Sequence, residues 1–189
     1  MLYQEIAGTD LDRIRETTNH AHVQHSIVEA NADIGEYASL RWAEVAGDVV
    51  IGEAARVEHS SIGPSSAIGF WTSVRSAKVG SRTTVGSWCE ISDSVIEEGC
   101  QIADFVEIRS DVRIGRGTKI GKNTKIYAHA EIGKHVVIGD NCRIQGGAKI
   151  ADWTVIGPGV TVAPHTEILS GSTIAGGKQI RNSLPWTSS

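Results

Sequence analysis

Residues 114–144 read IGRGTKIGKNTKIYAHAEIGKHVVIGDNCRI, with isoleucine at every sixth position. A period of six is neither the 3.6 of an α-helix nor the 2 of a strand with one wet face. The frame holds from Ile96 to Ile174 through Ile102, Ile108, Ile150, Ile156, Val162 and Ile168. Upstream, from Val28 to Ile96, it slips regularly: the steps run 6, 6, 5, so each cycle is 17 residues before Ile96 and 18 after it. Three short strands per cycle, each with one inward aliphatic residue, make a triangular coil that stacks on the next at about 4.8 Å. The expected fold is all-β, a parallel β-helix of about eight coils with one continuous core. Glycine follows the aliphatic in IGRGTK, IGKNTK, IGKHVV and IGDNCR, and is expected at corners, where positive φ costs it nothing.

Three segments follow from where the repeat begins and ends. Residues 1–16, with spaced Leu11 and Ile14, read as an N-terminal cap, 17–175 as the β-helix, and 176–189 as a C-terminal tail. No apolar run of membrane-spanning length is present. The start, MLYQEIAGTDLDRIRE, lacks the basic-then-apolar pattern of a signal peptide. Cys89, Cys100 and Cys142 show no metal-ligand spacing and no even disulfide set; all three fall on the small inward position and read as core residues. A cytoplasmic protein with no membrane association is expected.

The net charge of −4 is unevenly spread: residues 1–108 carry 7 basic and 17 acidic side chains, residues 109–149 carry 9 and 3. In the positive zone Arg116 and Lys134 are 18 apart, as are Lys125 and Arg143, so like charges meet on adjacent coils. That pattern suits either a solvated edge or an anion site for phosphates. No nucleic-acid motif accompanies it, and no nucleic-acid partner is expected. A second column, Tyr37, Ala54, Trp71, Trp88, Phe105, runs at spacings of 17 along an outward corner and suggests covered surface or a stacking platform. A third, Arg41, Glu58, Arg75, Ser92, Arg109, alternates in sign and reads as an ion ladder.

The pattern aliphatic-Gly-x-x-small-x over about residues 23–175 resembles the hexapeptide-repeat acyltransferase superfamily. The resemblance implies a left-handed coil, a homotrimer, and acyl transfer from acetyl-CoA or another acyl-CoA, with no metal. In that chemistry a neutral histidine deprotonates an amine or hydroxyl, which attacks the thioester. AHVQHS (21–26) is similar to the A-H-[I/V]-x-H-[D/N] segment of lipid A acyltransferases, and His25 falls on the family's base, although Ser26 replaces its acid or amide. Residues 103–121, ADFVEIRSDVRIGRGTKIG, resemble the acetyltransferase domain of the bifunctional glucosamine-1-phosphate acetyltransferase/uridyltransferase. Arg109 falls on that family's sugar-nucleotide arginine and Lys119 near its lysine, although its Pro-Gly is Ser-Asp here.

His129, in KIYAHAEIG, lies in the positive zone and is the preferred general base, with His25 second; His59 and His165 are further candidates. Arg109, Arg116, Lys119, Lys125, Lys134 and Arg143 are the expected binding residues, for coenzyme A phosphates or a nucleotide sugar. The expected acceptor is an amino sugar or nucleotide sugar. Two alternatives remain open: a non-catalytic assembly or regulatory β-helix that uses the aromatic stripe, and a carbonic-anhydrase-like metalloenzyme of the same fold. The last needs three histidines across a subunit boundary; His20 and His25 have the family's five-residue offset, but no third histidine stands two coils upstream.

Overall fold

The computed structural model describes residues 20–181. The expected N-terminal cap lies outside them, as does most of the tail. The described chain is a left-handed parallel β-helix of about nine turns. Face 1 has ten strands, from His22–Gln24 to Gln179–Ile180. Face 2 has nine, from Ile27–Val28 to Glu167–Ile168, and face 3 has nine, from Asp33–Ile34 to Thr173–Ile174. Every strand but the first and last of each face pairs in parallel with its equivalents one coil before and after, as Ile126 does with Ile108 and Ile144. No helix among the described residues is long and apolar enough to cross a membrane.

The repeating aliphatics form three stacked columns on the axis. Leu40, Ile91, Ile126 and Ile144 are 0% exposed, and each buried side chain of this size stabilises by about 1.5–3 kcal/mol. The coil continues to Ile180, whose side chain is buried in the last strand of face 1, so the β-helix runs past the expected boundary at 175. Ile180 is simply the next sixth position after Ile174.

The change from 17 to 18 residues has a local cause. In the first five coils the face 1 strands are three residues long and run directly into the turn: His22–Gln24, Ser39–Arg41, Arg56–Glu58, Ser73–Arg75, Glu90–Ser92. From Glu107–Ile108 onward they are two residues long, and the freed residue widens the turn into face 2. Only the edge between faces 1 and 2 is affected.

Glycine and positive φ are mostly separate. The Ile-Gly glycines do not take the left-handed conformation; a Cβ on Gly115 would meet the backbone carbon of Gly133 at 2.6 Å, so close coil-to-coil approach excludes a side chain there. The left-handed position lies further on in each turn and is held mainly by other residues, including six of the seven histidines: His20, His25, His59, His129, His135 and His165. Histidine, asparagine and aspartate are the side chains enriched there. The histidines therefore have a turn-forming reason to be present, whatever else they do.

Buried hydroxyls close the turn backbone. Thr124 Oγ1 donates to the Gly139 carbonyl at 2.9 Å and accepts the Cys142 N–H at 3.1 Å. The cysteines take the same place: the Cys89 thiol donates to the Ala103 carbonyl at 3.1 Å and the Cys142 thiol to the Gly157 carbonyl at 3.2 Å. Burial pushes the Cys89 thiol up to about 11 and those of Cys100 and Cys142 above their ordinary value.

Candidate active site

The edge between faces 1 and 2 carries His25, Trp42, His59, Ser76, Asp93, Asp111, His129, Gly147 and His165 on successive coils, all with positive φ. One straight edge thus gathers all four histidines considered as a general base, His25, His59, His129 and His165. It does not bring His25 and His129 together: six coils separate them, about 29 Å.

His25 lies under the indole of Trp42 with ring centroids 4.3 Å apart, and Trp42 in turn stacks on His59 at 6.2 Å. These three rings form a stacked column in which each face of Trp42 meets an imidazole. His129 has a different environment. Its Nδ1 is 3.5 Å from Asp111 Oδ2, one coil earlier. Its backbone N–H donates to the Ser110 carbonyl at 3.0 Å, and Ser110 Oγ donates to Asp93 Oδ2 at 3.3 Å. The Nδ1–Asp111 approach is a charge contact between two exposed side chains, made when the imidazole is protonated. His165 lies over Gly147, close enough that its Nδ1 would clash with a Cβ there.

His129 borders an open groove of about 320 Å³ lined by Asp93, Val95, Asp111, Arg113 and Glu131. Arg113 lies on face 2 opposite Glu131, which is followed in register by Lys149. On face 1, beside the same edge, Arg109 sits over the Tyr127 ring at 4.9 Å. Arg109 pairs with Glu107 at 2.6 Å, and Lys125 binds the other Glu107 oxygen at 2.9 Å. Lys125 and then Arg109 hold the Glu107 carboxyl below the usual range, and Glu107 raises the Arg109 guanidinium.

The six expected binding residues therefore divide among three places. Arg109, Lys125 and Arg143 lie together on face 1, with Lys125 and Arg143 in register. Arg116 and Lys134 lie at the edge between faces 2 and 3, where Arg116 pairs with Glu98 at 2.8 Å and the Lys134 N–H donates to Asp152. Lys119 is on face 3, between Gln101 and Val137. Coil geometry, not sequence proximity, decides this: residues six apart fall on different faces. The ion ladder is partial, since Arg41 pairs with Glu58 at 3.9 Å but Arg75 turns to Glu90 at 2.7 Å.

Asp111 is the residue that sequence reasoning missed; its signal is the 18-residue step to His129. Gly146 lies on the coil after His129, and its N–H makes no hydrogen bond among the described residues. No group of three or more His, Cys, Asp or Glu that could hold a metal ion occurs among the described residues. His20 and His25 lie on different edges; His20 stacks on Tyr37 instead.

Residues 117–152 match the family described as bacterial transferase hexapeptide (six repeats). The described fold is a left-handed parallel β-helix, and the family match covers residues 117–152 of it. No curated protein matches the sequence. Among solved structures, the chain is similar to UDP-N-acetylglucosamine acyltransferase from Campylobacter jejuni, with 18% identity over 86% of this chain and 71% of that one and a TM-score of 0.54. It is also similar to LpxA from Acinetobacter baumannii, with 16% identity over 88% and 69% and a TM-score of 0.61. The Arabidopsis UDP-N-acetylglucosamine acyltransferase gives 16% identity over 84% and 66% and a TM-score of 0.51. At these identities the likeness is one of fold.

Proposed function

We propose that the protein is a cytoplasmic, homotrimeric acyltransferase that moves an acyl group, acetyl for preference, from coenzyme A to an amino or hydroxyl group of a sugar or nucleotide sugar. The observation that carries this reading is the His129–Asp111 pair at a groove lined by Asp93, Arg113 and Glu131, with Arg109 and Lys125 on the neighbouring face. His129 Nε2 takes the proton of the acceptor group as it attacks the thioester carbonyl. The tetrahedral intermediate collapses by losing the coenzyme A thiolate, which recovers the proton from the imidazolium. Asp111 stabilises that imidazolium, and a backbone N–H of the turns along this edge would serve as donor to the oxyanion. Arg109, Lys125 and Arg143 offer a phosphate-binding face beside the edge. The hexapeptide match and the fold of the acyltransferase neighbours support the class.

The test is thiol release from acetyl-CoA against a panel of amino sugars and UDP-sugars. His129→Ala is expected to lower turnover by about 10²–10⁴-fold, with His25→Ala near wild type. A second reading, a non-catalytic assembly module, is favoured by the exposed aromatic column on the edge between faces 3 and 1. Absence of coenzyme A binding in calorimetry would select it.

A further inference from the structure

The edge between faces 3 and 1 carries His20, Tyr37, Ala54, Trp71, Trp88 and Phe105 on successive coils, all at the left-handed position. The His20 and Tyr37 rings stack with centroids 5.1 Å apart and 12° between planes. The Trp71 and Trp88 rings stack at 5.4 Å and 5°. Near-parallel rings about 5 Å apart on coils spaced about 4.8 Å lie roughly across the axis of the prism in these two pairs. The free face of Tyr37 therefore looks toward the coil of Ala54, and so does the free face of Trp71 from the other side. Hydrogen bonds from the Ala54 N–H to the Glu36 carbonyl, 2.9 Å, and from the Trp71 N–H to the Glu53 carbonyl, 3.0 Å, hold the three coils in step. The column of rings is thus interrupted by one missing layer.

That layer has defined dimensions and charge. Two coils separate Tyr37 from Trp71, about 9.6 Å, so a flat group midway lies about 4.8 Å from each ring. That is within the usual range for stacked rings, about 4.5–7 Å. Glu36 and Glu53 stand beside the gap. Glu36 binds His20 Nδ1 at 3.4 Å, while Glu53 pairs with no cation among the described residues. The Glu36 carboxylate, and more weakly Glu53, push the Tyr37 phenol above its ordinary value, which marks a negative field. Two π faces and two carboxylates select a cation that is also flat. A guanidinium satisfies both conditions; an ammonium is charged but not flat.

The geometry points to the gap at Ala54 as a docking site for an arginine side chain of a partner protein. A protein is the fitting source because the slot is open rather than enclosed. Tyr37 and Trp71 are each 55% exposed, and Phe70, Trp88 and Phe105 continue the apolar surface along the same edge. One guanidinium fills the slot while its neighbours cover the rest.

The experiment titrates the protein with acetyl-Gly-Arg-Gly-amide and its lysine analogue. The readout is the indole N–H resonance of Trp71, assigned by loss of that signal in Trp71→Phe. The arginine peptide is expected to shift the resonance saturably, and the lysine peptide to bind about tenfold more weakly. Glu53→Gln is expected to weaken the arginine peptide several-fold. Ala54→Trp is expected to abolish the response with the circular dichroism unchanged, because the chain already places Trp42, Trp71, Trp88 and Trp153 at this backbone conformation. Equal response to lysine, a response that persists in Ala54→Trp, or no response up to about 50 mM peptide overturns the proposal. So does a change of sedimentation mass in Ala54→Trp, which would assign the gap to a second copy of the chain.

Discussion

Two turn glycines, Gly69 and Gly99, should lose unequal amounts of stability on substitution by alanine. Gly69 follows Ile68 and has ordinary φ, but a Cβ there would lie 2.5 Å from the backbone carbon of Gly86 and 2.6 Å from the Ser87 nitrogen. Both contacts are backbone, so the coils must part. Parting them strains the Gly69 N–H bond to the Val85 carbonyl, 2.8 Å, and the Gly52 N–H bond to the Ile68 carbonyl, 2.7 Å. Overpacking of this kind costs roughly 1–3 kcal/mol, and weakened backbone hydrogen bonds add about 1 kcal/mol. Against this, alanine restricts the unfolded chain by about 0.4–1 kcal/mol. The net expectation for Gly69→Ala is a loss of about 2 kcal/mol, or about 4–8 °C in Tm for a chain of this size. Gly99 has φ +69° and nothing within 4 Å of a Cβ. Gly99→Ala then costs only the left-handed conformation, about 1 kcal/mol, and Gly99→Asn less still, as Asn123 and Asn141 hold such positions already. Thermal melts followed by circular dichroism rank the three. Gly69→Ala as stable as wild type, or Gly99→Ala the more damaging of the two, would refute the assignment of close approach to one glycine and left-handed φ to the other.

Three further expectations concern buried and paired groups. Thr124→Val removes a hydroxyl that serves the Gly139 carbonyl and the Cys142 N–H; with both left unpaired, urea denaturation should show a loss of about 2 kcal/mol, and Thr124→Cys should lose less. The native protein should show no reactive thiol among Cys89, Cys100 and Cys142 toward an aromatic disulfide at pH 8, because burial holds Cys89 near 11 and raises the other two; all three should react in denaturant. Glu107 has a depressed native pKa, so its pairing with Lys125 and Arg109 stabilises above the ordinary glutamate pKa and is lost as pH falls through the lower native value. The stability gap between wild type and Glu107→Gln should be under about 1 kcal/mol, constant above about pH 5, and should close in acid.

The six-residue frame made the coil and its core legible because one buried aliphatic per strand is a strict demand of a narrow prism. The 6, 6, 5 slip marked one edge as tight, and the structure places it between faces 1 and 2 through the longer strands of the first five coils. The glycines were half legible. Their recurrence was plain, but close approach and positive φ both select glycine, and only backbone geometry separates Gly69 from Gly99. The His25–Trp42–His59 column followed from 17-residue spacing, whereas the Asp111 partner of His129 required pairing an 18-residue step with side-chain rotamers. The cations were the least legible. Arg116, Lys119 and Lys125 lie close in sequence but on different parts of the prism, because each hexapeptide turns the chain to a new face.

The central claim is that the His129–Asp111 pair performs acyl transfer. The most direct measurement is the release of coenzyme A thiol from acetyl-CoA by the intact chain with a UDP-amino sugar, for wild type, His129→Ala and Asp111→Asn. Acceptor-dependent release by wild type, its loss in His129→Ala, and an intermediate rate in Asp111→Asn are the expected results. Acceptor-dependent release at the wild-type rate in His129→Ala would contradict it.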